Sequence, residues 1–170
     1  MIAPESYKVA LIGESKVGKT CIYNQYCFGT FDSKTEPTMD VHYENKEIKF
    51  SDNTSINLGI WDTTGINKYR ILSKILTKGA KAIILIYDIT NEKSFNELKT
   101  FWYGNFKDEG SILYVVGNKF DLDDKKVKDE EAKEYAEKIG ASFFTVSAKD
   151  NIGLSALFEK IGEEMKNKHK

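Results

Sequence analysis

The feature that most constrains this chain is a glycine-rich motif at residues 13–20, Gly-Glu-Ser-Lys-Val-Gly-Lys-Thr. An apolar run at 7–12 precedes it and predicts a buried strand, and residues 21–26 can continue as a helix. In such a unit the glycines let successive backbone N–H groups face one anion, and the helix dipole favours negative charge there. The motif therefore predicts a phosphate-binding loop, in which Lys19 reaches the β- and γ-phosphates and the Thr20 hydroxyl ligates Mg²⁺.

The composition favours a single globular domain over residues 1–170 and excludes several functional classes. Hydrophobic residues make up 41% of the chain and there are only two prolines, as expected for a packed core. The 25 basic and 26 acidic residues leave a net charge of −1, so we expect no nucleic-acid partner. No stretch approaches the ~20 apolar residues of a membrane span. Cys21 and Cys27 are expected to be reduced thiols of a cytoplasmic protein.

Strand-like and helix-like segments alternate along the chain, which predicts an α/β fold. The predicted strands are 7–13, 41–50, 54–62, 82–89, 112–118 and 142–147. The predicted helices are 19–28, 68–77, 94–106, 129–139 and 154–167. A turn signal at 51–53 joins the second and third strands as an antiparallel hairpin, with the more polar strand 41–50 nearer the sheet edge. We expect a three-layer P-loop NTPase fold: a six-stranded, mostly parallel sheet with one antiparallel strand and helices on both faces.

Three further motifs each follow a predicted strand. Residues 61–65 read Trp-Asp-Thr-Thr-Gly, in which the Asp can hold Mg²⁺ through water and the Gly lets a backbone N–H approach a γ-phosphate. Residues 118–121 read Asn-Lys-Phe-Asp, and a carboxylate there can accept hydrogen bonds from the ring N–H and exocyclic amine of guanine. Residues 147–149, Ser-Ala-Lys, offer a backbone N–H to the guanine carbonyl. Because ligands bind at the carboxyl ends of strands in such sheets, the motifs together predict a guanine nucleotide site.

From Tyr7 to about Met165 the chain resembles the small GTPases of the Ras superfamily, and most closely their Rab branch. The Rab-like segments include 57–62, 78–82 and 86–95. This resemblance implies a molecular switch that binds GTP or GDP with Mg²⁺ and hydrolyses GTP. It also implies a first switch at 36–38, a second switch that begins at 62–65, and an exchange factor, a GTPase-activating protein and effectors that read the two switches.

The resemblance assigns roles to individual residues. It implies that Phe31 packs edge-on against the guanine, that Asn118 contacts the base and ties down the phosphate loop, that Lys119 lies over the base, and that Asp121 selects guanine. The residues expected to contact the nucleotide are Glu14, Ser15, Lys16, Val17, Gly18, Lys19, Thr20, Cys21, Phe31, Thr38, Gly65, Asn118, Lys119, Asp121, Ser147, Ala148 and Lys149. The expected catalytic residues are Lys19, Thr38 and Gly65. The expected Mg²⁺ ligands are Thr20, Thr38 and, through water, Asp62.

The second switch departs from the family pattern Asp-Thr-Ala-Gly-Gln-Glu. Ile66 stands in the place of the Gln that orients the attacking water, and an aliphatic side chain has no donor or acceptor for that task. We therefore predict slow intrinsic hydrolysis. Thr64 replaces an Ala, and it either crowds the pivot of the switch or fits without strain. Lys16 replaces a small residue in the phosphate loop, where it is either a solvated side chain or a second cation near the phosphates.

Two alternatives to a slow GTPase switch remain at the level of sequence. The first is a pseudo-GTPase scaffold that binds nucleotide without hydrolysing it, which Ile66 and Thr64 favour. The second is a P-loop ATPase or small-molecule kinase, which the motif at 118–121 disfavours. The sequence as far as Lys170 lacks the cysteines that carry prenyl groups in Rab proteins. We therefore expect no direct membrane anchor in this chain, and peripheral membrane association only through a lipidated tail absent from it.

Overall fold

The computed structural model describes residues 6–169, without the side chain of Asn67. The strands are β1 (Ser6–Gly13), β2 (His42–Lys49), β3 (Ser55–Asp62), β4 (Ala82–Asp88), β5 (Ile112–Asn118) and β6 (Ser142–Thr145). The α-helices are α1 (Lys19–Phe28), α2 (Arg70–Thr77), α3 (Glu92–Glu97), α4 (Tyr103–Phe106), α5 (Asp129–Ile139) and α6 (Leu154–Lys168). The expected domain, 1–170, includes residues 1–5 and 170, which lie outside the described residues. The expectation about a lipid anchor also concerns a terminus outside the described residues.

All six strands form one sheet in the order β2-β3-β1-β4-β5-β6. Neighbouring strands are parallel except for β2 and β3, which pair antiparallel with His42 opposite Asp62. The strand β4 is buried along its whole length, as expected for its continuous apolar sequence, whereas the charged strand β2 lies at the sheet edge. The predicted fold class is therefore confirmed, including the position of the hairpin.

The two faces of the sheet are covered by separate hydrophobic clusters. One cluster joins the sheet to α1 and α6, where the rings of Tyr26 and Phe158 stack with centroids 3.9 Å apart. The other joins it to α3, α4 and α5 around the fully buried Trp102. Burial on both faces fixes the parallel strands rigidly, so that the loops at their carboxyl ends are held in defined positions.

Three predicted elements differ from the structure by two residues or more. The helix predicted at 68–77 begins as an α-helix at Arg70, after a 3-10 turn at Asn67–Tyr69. The helix predicted at 94–106 begins earlier, at Glu92, because the Asn91 side chain accepts a hydrogen bond from the Ser94 N–H (3.3 Å) and caps its first turn. Its middle, 98–102, is a π-helical turn in which the Tyr103 N–H donates to the Leu98 carbonyl, five residues back.

The third difference concerns β6, which was predicted to reach residue 147 and ends at Thr145. Its ladder with β5 stops where Gly117 lies opposite Thr145. The Ser147 backbone instead exchanges two hydrogen bonds with Ile152, each 3.0 Å long, which turns the chain towards α6. Ser147 therefore belongs to a loop beyond the strand.

Candidate functional site

A cavity of about 400 Å³ lies at the carboxyl ends of the strands, within the ~300–1,000 Å³ range of ligand sites. Fourteen of the seventeen residues expected to contact the nucleotide line it: Ser15, Lys16, Gly18, Lys19, Thr20, Cys21, Phe31, Thr38, Gly65, Asn118, Lys119, Asp121, Ala148 and Lys149. The cavity is also lined by Asp32, Ser33, Thr35, Glu36, Pro37 and Leu122. The structure thus brings the separate sequence motifs together around one space.

Glu14, Val17 and Ser147 do not line the cavity. Val17 and Ser147 are buried behind it, and the Glu14 carboxylate is held 2.8 Å from the guanidinium of Arg70. Their side chains therefore support the walls of the cavity, whereas their backbone groups belong to the loops that form it.

The phosphate loop depends on glycine at Gly18, whose φ of 98° is in the left-handed region. A Cβ atom there would lie 2.2 Å from the Asn118 Nδ2, so a larger residue would displace the asparagine. Lys16 also has a positive φ, 68°, which is uncommon for a residue with a side chain. Lys16 is exposed, and the loop conformation is therefore kept at a backbone cost of order 1–3 kcal/mol.

Lys19 is buried at the base of this loop and donates hydrogen bonds to the carbonyls of Gly13 (3.0 Å) and Glu14 (2.8 Å). Burial lowers the pKa of Lys19 to about 8, against the opposing effect of the Asp62 and Glu14 carboxylates. A cation that is desolvated in this way gains strongly from an anionic partner. The base of the cavity is therefore suited to a phosphate.

Oxygen atoms from three segments meet beside Lys19. The Thr20 hydroxyl contacts the Thr38 hydroxyl and donates to the Asp62 Oδ2 at 2.7 Å. The other carboxylate oxygen of Asp62 is buried and has no hydrogen-bond partner among the described residues. Burial raises the pKa of Asp62, although the Thr20 hydrogen bond and the charge of Lys19 oppose this. Two hydroxyls, a carboxylate and room for phosphate oxygens and water fit the hard-oxygen preference of Mg²⁺.

His42 was not singled out in the sequence, yet its Nδ1 lies 3.3 Å from the Asp62 Oδ2. Its place follows from the antiparallel register, in which His42 is the residue opposite Asp62. The sequence predicted the hairpin of β2 and β3 but not which residues face each other. The pairing of His42 with Asp62 could have been found only by counting residue pairs from the turn to the far end of both strands.

Asn118 ties together the loops at the other end of the cavity. Its Nδ2 donates to the Val17 carbonyl (3.0 Å), and its Oδ1 accepts from the Ala148 N–H (3.2 Å). The Ser147 hydroxyl donates to the Asp121 Oδ1 at 2.8 Å and so orients that carboxylate. Asp121 also lines the cavity, so its carboxylate can accept hydrogen bonds from a ligand there.

Lys119 adopts a left-handed φ of 70°, and its Nζ lies 2.6 Å from the Asp88 Oδ2 and 2.9 Å from the Lys16 carbonyl. The ion pair with Asp88 holds the aliphatic part of Lys119 along the cavity wall. Asp88 is a further residue that the sequence did not reveal, because β4 and β5 are neighbours in the sheet but distant in the chain.

Gly65 brings the second switch against the phosphate loop. A Cβ atom at this position would lie 2.4 Å from the Ser15 nitrogen and 2.7 Å from the Lys19 Nζ, so only glycine fits. The neighbouring Thr64 is buried, and its hydroxyl accepts a hydrogen bond from the Ile66 N–H at 3.2 Å. In this conformation the Thr64 hydroxyl is thus satisfied within the second switch. Ile66 is half-buried and does not line the cavity.

A phosphate loop, an oxygen cluster suited to Mg²⁺ and a carboxylate at the opposite end of one cavity define a P-loop nucleotide-binding protein. The chain belongs to the Ras family, whose family model matches residues 8–167. Members of this family are GTPases that bind GTP and GDP with Mg²⁺ and are controlled by exchange factors, activating proteins and effectors. The chain is therefore a Rab-like GTP-binding protein of the Ras superfamily.

Several Rab proteins are similar to this chain. The Ras-related protein Rab-3 of Caenorhabditis elegans is 37% identical over 161 residues, which cover 92% of this chain and 73% of that protein. Human Ras-related protein Rab-21 is 37% identical over 163 residues, 94% of this chain and 72% of its own length. Human Rab-3A is 37% identical over 160 residues, 91% and 71% of the two chains. Among the described residues no helix has the length and apolar character needed to cross a membrane.

Proposed function

We propose that this chain is a Rab-like molecular switch, formed by one G domain, that binds GTP and GDP with Mg²⁺ and hydrolyses GTP slowly. The observation that carries the proposal is the position of Ile66. It follows directly on Gly65, which lies against the phosphate loop, and in the family this position carries the water-orienting Gln, whereas Ile66 has no donor or acceptor. By family likeness, the switch acts in vesicle trafficking.

Phosphate binding in this proposal falls to the loop 13–20 and to Lys19. The desolvated Lys19 exchanges its two carbonyl partners for phosphate oxygens, and the backbone N–H groups of the loop surround them. Thr20, Thr38 and Asp62, through water, hold Mg²⁺, which neutralises charge on the phosphates when it is bound. Thr38 and the Gly65 N–H then sense the γ-phosphate.

Guanine selection falls to Asp121. The Ser147 hydroxyl orients its carboxylate, whose two oxygens accept from the ring N–H and the exocyclic amine of guanine. Phe31 is partly exposed at the cavity edge, where it packs against the base, and Lys119 covers one face of the ring.

Slow hydrolysis follows from the chemistry of Ile66. Loss of one preorganised polar contact in a transition state costs on the order of 10²–10³ in rate. The remaining groups, Lys19, Thr38 and Gly65, still act on the phosphate oxygens, so hydrolysis is slow and the GTP-bound state persists. An activating protein that brings its own polar groups can assist.

The segment 69–72 of the second switch exposes Ile71 and Leu72 and gives effectors an apolar surface.

The proposal is tested by the nucleotide released on denaturing the purified protein and by single-turnover hydrolysis of bound GTP. We expect guanine nucleotide, slow phosphate release by the unmodified protein, and release faster by about 10²-fold in Ile66→Gln. The matched control is Ile75→Gln, the same substitution at an exposed position of α2. Adenine nucleotide would contradict the base assignment. Equal rates for Ile66→Gln and the unmodified protein would contradict the role of Ile66, and no phosphate from either would favour the pseudo-GTPase scaffold.

A further inference from the structure

Arg70 is the only arginine among the 25 basic residues of this chain. It begins α2, within the second switch, and its side chain is only 15% exposed. Its Nη2 lies 2.8 Å from the Oε2 of Glu14 in the phosphate loop and 3.5 Å from the Oε2 of Glu97 in α3. One guanidinium thus bridges three segments that are far apart in sequence.

The guanidinium is also stacked on aromatic rings. Its Cζ lies 4.1 Å from the ring centroid of Phe101 and 4.8 Å from that of Trp102, both in the π-helical turn at 98–102. A planar guanidinium pairs with carboxylates and stacks on rings at the same time, whereas a lysine ammonium is a compact, strongly hydrated point charge. The single arginine of this lysine-rich chain therefore occupies a position where a lysine could not make both kinds of contact.

Glu14 explains why such a contact matters for the phosphate site. Its backbone carbonyl already accepts from the Lys19 Nζ at 2.8 Å, and its carboxylate raises the pKa of Lys19 while Arg70 lowers it. Both charges thus act on the lysine that faces the phosphates. A carboxylate free to turn towards Lys19 would compete with phosphate for it and would repel the nucleotide.

We propose that Arg70 is a positioning residue for the phosphate site. Its clamp on Glu14 and Glu97 keeps the Glu14 carboxylate turned away from Lys19. The inference rests on the proposed nucleotide binding and adds to it a residue that controls how firmly the nucleotide is held.

The test measures dissociation of a fluorescent GDP analogue from the full chain in the presence of Mg²⁺. In Arg70→Met, which keeps much of the apolar stem but removes the charge, we expect dissociation about tenfold faster, the size of effect typical when one partner of a coupled charge pair is removed. In Glu14→Gln we expect slower dissociation than in the unmodified protein, because a negative charge beside the phosphates is lost. The double variant should dissociate at the Glu14→Gln rate, since Arg70 then has no carboxylate to restrain in the loop.

Two further variants separate this role from a general effect on folding. Lys74→Met removes a charge from the exposed side of the same helix and should dissociate at the unmodified rate. Arg70→Lys keeps the charge without the planar fork, so its rate should fall between those of the unmodified protein and Arg70→Met. Circular dichroism will show whether Arg70→Met folds. If it does not, the dissociation rate of Arg70→Lys tests the proposal instead.

The outcomes distinguish this inference from the proposed function. If the unmodified protein holds guanine nucleotide but Arg70→Met or Arg70→Lys releases it at the unmodified rate, the clamp is wrong and the proposed function stands. A double variant as fast as Arg70→Met would also overturn the clamp, because the effect would not pass through Glu14. If the unmodified protein holds no guanine nucleotide, both inferences are wrong.

Discussion

Asn118 shows how one buried side chain can join two loops of the cavity. It is 2% exposed, and its amide satisfies the Val17 carbonyl and the Ala148 N–H. We expect Asn118→Ala to lower the free energy of unfolding by roughly 2–3 kcal/mol, because two buried backbone groups lose their partners. Urea denaturation measures this. The matched control, Asn96→Ala on the exposed side of α3, should change it by less than about 0.5 kcal/mol, and equal effects of the two would contradict the role of Asn118.

The two cysteines should differ in reactivity although they lie in the same helix. Burial raises the pKa of Cys27 to about 12, so at pH 8 only roughly 10⁻⁴ of it is thiolate, the form that reacts, and its reactivity rises only as the pH approaches 12. Cys21 is half-buried and lines the cavity. With iodoacetamide at pH 8, mass mapping should find Cys21 modified first and protected by bound nucleotide.

The control for this measurement is the unfolded chain, in which both thiols should react at similar rates. Labelling of Cys27 in the folded protein as fast as Cys21 would show that α1 opens more readily than its packing indicates.

Some residues of the site could be located from the sequence, and others could not. Lys19, Thr20 and Asp121 stand in local motifs whose chemistry can be read directly, and the structure places all three at one cavity. Asp88 and the Arg70–Glu14 pair could not be located in that way. Their partners come from other strands and helices, and only the order and register of the sheet bring them together.

At the scale of elements, the loop 30–41, which contains the first switch, is the least restrained part of the cavity wall. Residues 30–41 form neither helix nor strand. They contact the site through the Thr38 hydroxyl, which meets Thr20, and through weak contacts of the Cys21 Sγ with the Asp32 carbonyl (4.0 Å) and the Thr35 hydroxyl (3.7 Å). We expect their amides to exchange with deuterium quickly in the GDP-bound protein and more slowly with a non-hydrolysable GTP analogue, because the γ-phosphate and Mg²⁺ hold Thr38. Mass spectrometry measures this, with β4 as the protected reference.

Thr38→Ala provides the control for the exchange measurement. Without the hydroxyl, the analogue should no longer slow exchange in 30–41, while nucleotide remains bound. Equal exchange of this segment with GDP and with the analogue in the unmodified protein would show that it does not respond to the γ-phosphate.

The helix at 92–106 shows what an element's sequence does not reveal. The apolar pattern predicted a helix there, and the structure contains one, but with a π-helical turn in its middle. The spacing of apolar residues shows which side of a helix is buried. It does not show whether one turn has π-helical hydrogen bonds, which span five residues, in place of α-helical ones, which span four. Arg70, which lies over Phe101 and Trp102 of this turn, comes from another helix, so the segment's own sequence does not reveal that contact.

For the whole molecule, we expect bound nucleotide to supply a substantial part of the stability. A ligand at a thousand times its dissociation constant adds about 4 kcal/mol to the free energy of unfolding. For a domain of this size that corresponds to roughly 8–16 °C in Tm. Removing Mg²⁺ with EDTA and washing out GDP should lower Tm by that amount in a thermal scan. ADP serves as the control and should not restore it; restoration by ADP as fully as by GDP would contradict guanine selectivity.

The architecture of the whole molecule was more predictable than the details of its loops. Alternating strand and helix patterns predicted every strand of the sheet, with the largest difference at the end of β6. The mixed composition of β2 indicated its place at the edge. The order of the remaining strands depends on how the crossovers pack over the sheet, which local patterns do not encode.

The strand order has a consequence for how the molecule can be divided. The strands β1, β2 and β3 form one contiguous half of the sheet and β4, β5 and β6 the other, and over the described residues these halves pair only where Val9–Gly13 of β1 meets Ala82–Ile86 of β4. The chain passes from one half to the other through the second switch. A break in that segment would therefore leave two fragments that each keep three adjacent strands, and the chain is a natural candidate for reassembly from two separately expressed pieces.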